Sequence, residues 1–169
     1  MDATSPRPVV LVTGASAGIG DAIARRFAAG GYDIVAVARR KDRLEQLAAD
    51  LAGIARVQIL GGDVSVPGIP AQAVDLALET FGRLDCLVNN AGSVVPHLGG
   101  FLTVTDEAWQ ASIDVNLLSA VRVTRAALPH LLDGGGSIVM IGSVNAVLPD
   151  APILDYSATK AALANLAKG

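Results

Sequence analysis

Five short apolar runs alternate along the chain with longer stretches in which apolar residues recur every third or fourth position. The runs are PVVLVTG at 8–14, GYDIVAVAR at 31–39, ARVQILGGDV at 55–64, LDCLVNNAG at 84–92 and GSIVMIGS at 136–143. They are short, rich in Val, Ile and Leu, and bounded by glycine or polar residues, which predicts strands. Helical periodicity predicts helices over about 19–29, 41–53 and 69–81, another from Thr105 or Asp106 to about 132, and a closing helix in 155–169. The runs are apolar throughout rather than alternating, so helices should cover both faces of the sheet they form. With right-handed crossovers, this order predicts an α/β fold, a three-layer doubly wound parallel sheet of the Rossmann kind. No repeat or linker divides the chain. Residues 9–169 are expected to form one domain, after a flexible lead-in over 1–8.

Composition narrows the function more than the fold. Of 169 residues, 51% are apolar and 17% charged, with a mean hydropathy of +0.48. That charged share is low and that hydropathy high for a globular domain, which has two readings: plain abundance of Ala, Val and Leu, or surface that wants a partner or a further piece of fold. No run approaches the ~18 apolar residues of a membrane span. The polar start MDATSPRP does not resemble a secretory signal. A net charge of -3 argues against a nucleic-acid partner. One cysteine, Cys86, allows no internal disulfide and no metal cluster, which fits a cytoplasmic location.

The first candidate chemistry is TGASAGIG at 13–20, between the first predicted strand and the first predicted helix. Gly14 permits a tight turn, Gly18 close backbone approach to a phosphate, and Gly20 close packing of helix on strand. Ser16, Ala17 and Ile19 complete the loop, whose amides at a helix start favour a pyrophosphate. At the end of the second strand, an NAD site usually has a carboxylate for the ribose hydroxyls. Here Ala38 fills that slot and Arg39 and Arg40 follow, a pair suited to a 2′-phosphate. NADP(H) is therefore favoured over NAD(H).

The second candidate is the pair Tyr156 and Lys160, four apart and hence on one helix face. With TGASAGIG, Asp63, NNAG at 89–92, Asn116 and Ser143, it makes an ordered set. Ser143 lies 13 residues before Tyr156, and Asn116 lies 27 before Ser143. From Val9 onward the chain resembles the short-chain dehydrogenase/reductase family. The resemblance implies hydride transfer between a nicotinamide and a small carbonyl or secondary alcohol. It implies that Tyr156 is the acid/base, that Lys160 lowers its pKa and holds the nicotinamide ribose, and that Ser143 polarises the substrate oxygen. It makes Asn116 the anchor of a proton-passing water. Asp63 with Val64 would meet the adenine, and Asn90, Ala91 and Gly92 the adenosine ribose, while Asn89 ties neighbouring strands together. His97, His130, Trp109 and Cys86 are given no role.

The family pattern continues past Gly169 with two more strands, a substrate lid and a PG-containing loop. The expectation is therefore a C-terminally truncated member whose fifth strand forms an exposed sheet edge and which self-associates as a homo-oligomer. Two readings stand at this point: part of a carbonyl reductase or alcohol dehydrogenase, or a non-catalytic nucleotide-binding or assembly module. The loop at 93–106 carries no polar constellation that names a substrate.

Overall fold

The computed structural model describes residues 6–169. Strands β1 (Val9–Thr13), β2 (Asp33–Ala38), β3 (Val57–Gly61), β4 (Cys86–Asn89) and β5 (Ser137–Met140) form one parallel sheet in the order β3-β2-β1-β4-β5. The helices are α1 (Gly18–Ala29), α2 (Lys41–Asp50), α3 (Ile69–Phe81), α4 (Asp106–Ile113), α5 (Ser119–Gly134) and α6 (Leu154–Leu166). The chain builds outward from β1 to β3, then returns to lay β4 on the other side of β1. Strand order therefore reverses between β1 and β4, where this class of sheet opens a crevice.

Alternate residues of each central strand feed two cores. Val9, Leu11, Val35 and Val37 pack with Val74 and Ala77 of α3 and with Val123, Ala127 and Leu131 of α5. Val10, Val12, Ile34 and Ala36 pack with Ala24 and Ala28 of α1 and with Leu44 and Leu47 of α2. The unbroken apolar runs thus have the cause expected of them: both faces are covered. The apolar side chains of β5 are only half covered, and Val139 is 40% exposed. Among the described residues β5 pairs with β4 alone, leaving its other edge free.

Two features of the helices differ from the sequence reading. α2 stops at Asp50, because a turn closed by the Ile54 N–H on Leu51 O leads to Gly53 at φ +81°, which is not helical backbone. The long helix begins as expected, its Thr105 hydroxyl accepting from the Ala108 N–H at 3.2 Å. It does not run through unbroken. A π turn at Asp114–Leu118 separates α4 from α5, and Asn116 sits inside it.

Residues 1–5 of the expected lead-in lie outside the described residues. At its other end, Arg7 donates to the carbonyls of Gly31 (3.0 Å), Tyr32 (3.2 Å) and Ile54 (2.7 Å). It also lies 3.4 Å from Asp33, a fully buried carboxylate that accepts from the Arg56 Nε–H at 2.7 Å. No helix among the described residues is long and apolar enough to cross a membrane.

Candidate active site

A cleft of about 570 Å³ opens at the C-terminal ends of β1, β2 and β4. Its walls include Gly14, Ser16, Ala17, Ile19, Gly20, Arg39, Arg40, Asp63, Val64, Asn90, Ala91 and Gly92. Val37, Ala38, Gly62, Ser93 and Val115 also line it; of these the sequence had marked only Ala38. Gly18 does not line the cleft but turns the chain into α1 at φ +56°.

The glycine loop is shaped by crowding. Gly14 has φ +69°, and a Cβ there would lie 2.9 Å from Asn90 Nδ2. A Cβ on Gly20 would collide with Gly14 O. These contacts draw α1 down onto the β1 and β4 loops, so its N-terminus faces the cleft. Ala17 at the N-cap has no side-chain cap, which leaves the first amides of α1 to an anion. The residues present therefore fit a dinucleotide pyrophosphate. The floor is held by Thr13, whose hydroxyl donates to Val88 O (3.3 Å) and accepts from the Asn90 and Ala91 N–H groups, each at 3.0 Å. Asn90 Nδ2 donates back to Thr13 O at 2.9 Å.

The rim of the cleft is charged. Arg40 donates to Ser16 Oγ from Nε (3.3 Å) and from its terminal nitrogen (3.2 Å). Arg39 is largely exposed and lies 4.0 Å from Asp63. Burial pushes the Asp63 carboxyl up, but the Ser65 N–H and O–H and the nearby Arg39 charge outweigh it and hold the group below its ordinary range.

None of the four residues expected to react lines the cleft; Asn116 and Lys160 lie beside it, at Gly92. Lys160, 4% exposed, donates from Nζ to Ile141 O at 2.8 Å. Burial lowers its pKa from the ordinary value. Nζ lies 5.7 Å from the centre of the Tyr156 ring. A Cβ on Gly92 would be 3.1 Å from Asn116 Oδ1 and 3.8 Å from Lys160 Nζ, so the two groups share one small space. The π turn aims Asn116 inward: its amide donates to Ser93 O (2.9 Å) and Ser112 Oγ (3.2 Å) and accepts from the Ser93 N–H (2.9 Å).

Ser143 follows β5 and caps a short 3-10 turn, accepting from the Asn145 N–H at 3.2 Å. Its hydroxyl lies 3.1 Å from Asn145 Oδ1. Because Asn145 Nδ2 points at Leu148 O (3.3 Å), the amide presents its oxygen to the serine, and only the serine can donate. Thr13, Ser93, Ser112 and Asn145 were not marked from sequence. Each acts through a contact made across the fold or around a turn, and although Thr13 opens the TGASAGIG motif, its hydroxyl's partners lie on β4 and the loop after it. Asn89, expected to tie strands, donates to Thr124 Oγ1 (3.0 Å) and Met140 Sδ (3.3 Å), linking β4 to α5 and β5. Cys86 is a buried free thiol in the α1–α2 core. No cluster of metal-binding side chains occurs among the described residues.

Sheet order, glycine loop and crevice together define a Rossmann-type nucleotide-binding domain. A sequence model of the short chain dehydrogenase family matches residues 8–169, and the chain belongs to that family. It is 42% identical over 158 residues to the 11-beta-hydroxysteroid dehydrogenase-like 2 protein of Arabidopsis thaliana, covering 92% of this chain and 51% of that one. It is 38% identical over 156 residues to sulfoacetaldehyde reductase 2 of Chromohalobacter salexigens, covering 90% and 61%. Among solved structures, L-sorbose reductase of Gluconobacter frateurii, complexed with NADPH and L-sorbose, superposes with a TM-score of 0.91 at 37% identity, over 99% of this chain and 64% of that one. A 3-oxoacyl-[acyl-carrier protein] reductase of Brucella melitensis, in complex with NAD, gives 0.89 at 36% identity, over 96% and 66%. The chain thus spans about half to two thirds of the length of these relatives.

Proposed function

We propose that the chain carries the cofactor cleft and the acid/base groups of an NADP(H)-preferring reductase acting on a small carbonyl compound, or on the matching secondary alcohol in reverse. The observation that carries this reading is the convergence of Asn116 and Lys160 around Gly92, at the cleft's edge, with Tyr156 one helical turn before Lys160. A bound nicotinamide supplies or accepts the hydride. The protein's own task is to move a proton to or from the substrate oxygen as charge develops there. Tyr156 does so, with the Lys160 ammonium 5.7 Å from the centre of its ring. Ser143 supplies a hydroxyl at the same oxygen. Asn116, fixed on three sides, holds the backbone of Ser93 and positions a water that feeds protons toward Lys160.

In the cofactor half, the uncapped amides of α1 hold the pyrophosphate, Asp63 and Val64 meet the adenine, and Asn90, Ala91 and Gly92 border the ribose. Arg39, Arg40 and Ser16 take the 2′-phosphate, with Ala38 leaving the carboxylate slot vacant; this is the support for NADP(H) over NAD(H). Relatives named as reductases of a sugar, an oxoacyl carrier protein and an aldehyde support reduction as the working direction. Exposed Leu128 and Leu132 on α5 support a homo-oligomer, and the single buried thiol of Cys86 fits a cytoplasmic enzyme.

One observation favours the second reading, a nucleotide-binding or assembly module. Ser143 spends its one donor on Asn145 Oδ1, and Lys160 directs one of its three N–H groups to Ile141 O. NADPH titration and NADPH consumption over a panel of ketones and aldehydes separate the two. The reductase reading expects turnover that Tyr156→Phe lowers by roughly 10²–10⁴-fold while NADPH affinity is unchanged. NADPH binding without turnover of any carbonyl decides for the module.

A further inference from the structure

His97 Nε2 and Asp155 Oδ1 are two of three buried side-chain polar atoms without a hydrogen-bond partner among the described residues. Their residues lie far apart in sequence, yet His97 Nε2 is 3.8 Å from Asp155 Oδ2. Both side chains are shut away from water, at 14% and 5% exposed. Beside them the His97 backbone N–H donates to Pro152 O at 2.7 Å, so the loop after β4 already touches the turn that leads into α6. Asp155 lies in the first turn of α6, immediately before Tyr156.

A carboxylate buried without a donor is costly, and the cost falls when a donor reaches it. Other ionisable groups on the neighbouring elements offer none. Lys160 donates to Ile141 O and forms no ion pair with Asp155 among the described residues, while Asp106 and Glu107 on α4, Asp114 in the π turn and Asp150 before α6 are themselves acids. His97 is the remaining donor, and a movement of about 1 Å brings its ring N–H to hydrogen-bond distance.

We infer that the His97 ring and the Asp155 carboxylate form a buried latch that joins the loop after β4 to the first turn of α6 and so positions Tyr156. The latch stands on geometry alone; its effect on turnover rests on Tyr156 being the acid/base, as proposed above. His97 is a positioning residue, not a catalytic one, because it acts through the helix that bears the phenol. Closing the latch gives the unpartnered Nε2 an acceptor and gives the carboxylate a donor on Oδ2, the oxygen beside the unpartnered Oδ1.

The chain has two histidines, and His130 is exposed, so each spectrum carries its own control. Imidazole NMR in water, with and without NADPH, should show a His97 Nε2–H signal protected from solvent exchange while that of His130 exchanges away. Asp155→Ala should abolish the protection. Exchange of the His97 proton as fast as that of His130, in both states, overturns the latch. In kinetics, His97→Phe keeps a ring without a donor and should lower kcat by about 10-fold or more with NADPH affinity unchanged. His97→Gln places an amide N–H near the same point and should restore most of the loss. Equal losses in Phe and Gln variants, or losses that appear in NADPH affinity, contradict a positioning role. Absence of turnover in the unaltered chain overturns the acid/base reading of Tyr156, and the imidazole signal then still decides the latch.

Discussion

The two sides of the sheet do different work by different means. Around β1 and β2 every strand residue is buried, and the cleft is bounded by backbone, glycine loop and helix terminus. Around β5 and α6 the strand is half exposed, and the proposed chemistry hangs on the side chains of Ser143, Tyr156 and Lys160. Nucleotide recognition is therefore tied to the core, so whatever loosens the sheet loosens the cleft. Ser143 and Lys160 are each held by a single donated hydrogen bond, to Asn145 Oδ1 and Ile141 O, so the proposed chemistry can be disarmed without cutting into the sheet.

Matched truncations test this contrast most strongly. Leu11→Ala in β1 removes a fully buried side chain and should cost about 2–5 kcal/mol in urea unfolding. Val139→Ala in β5 should cost under about 1 kcal/mol, since the side chain is already partly in water. Equal losses would erase the distinction between the two sides. A smaller effect sharpens the cofactor side. Ala38→Asp with Arg39→Ala puts a carboxylate at the cleft and removes a cation, which should shift the NADPH-to-NADH affinity ratio toward NADH by roughly 10-fold or more. An unchanged ratio means that the phosphate pocket lies elsewhere.

The smallest expected effect concerns Lys160. Burial lowers its folded pKa below 10.5, so between the lowered value and 10.5 the unfolded chain binds more protons than the folded one. Stability from this group therefore rises with pH through that window, and the cost of burying the charge is full below it. Lys160→Met should flatten the alkaline part of the stability-against-pH curve. A slope that survives the change assigns the titration to another group.

The sheet, its two-sided cover and the nucleotide end were legible because apolar runs and glycine spacing are local signals. The exposed edge at β5 was legible too, from the run GSIVMIGS and the resemblance together. What escaped depends on partners distant in sequence or on local geometry that periodicity does not register. A π turn has nearly the apolar rhythm of a helix, so the break at Asn116 left no mark. His97 looked unpartnered because its carboxylate is in α6, beyond two helices and a strand. Asn145 looked like a loop residue, and its grip on Ser143 comes from the turn that points its amide. Arg7 read as part of a loose lead-in, since the carbonyls it reaches are assembled only when β2 and the ends of α1 and α2 come together.

The Thr13 hydroxyl has one proton and two lone pairs, and all three are engaged, with Val88 O and with the Asn90 and Ala91 N–H groups. At 2% exposure it offers nothing to solvent. The Thr13 hydroxyl beneath the cleft is consequently polar in composition but saturated. A ligand settling above it strips no water from this group and finds no bond left to make with it. An isosteric Thr13→Val change would leave two amides unpaired and turn this silent floor into a hydrated one.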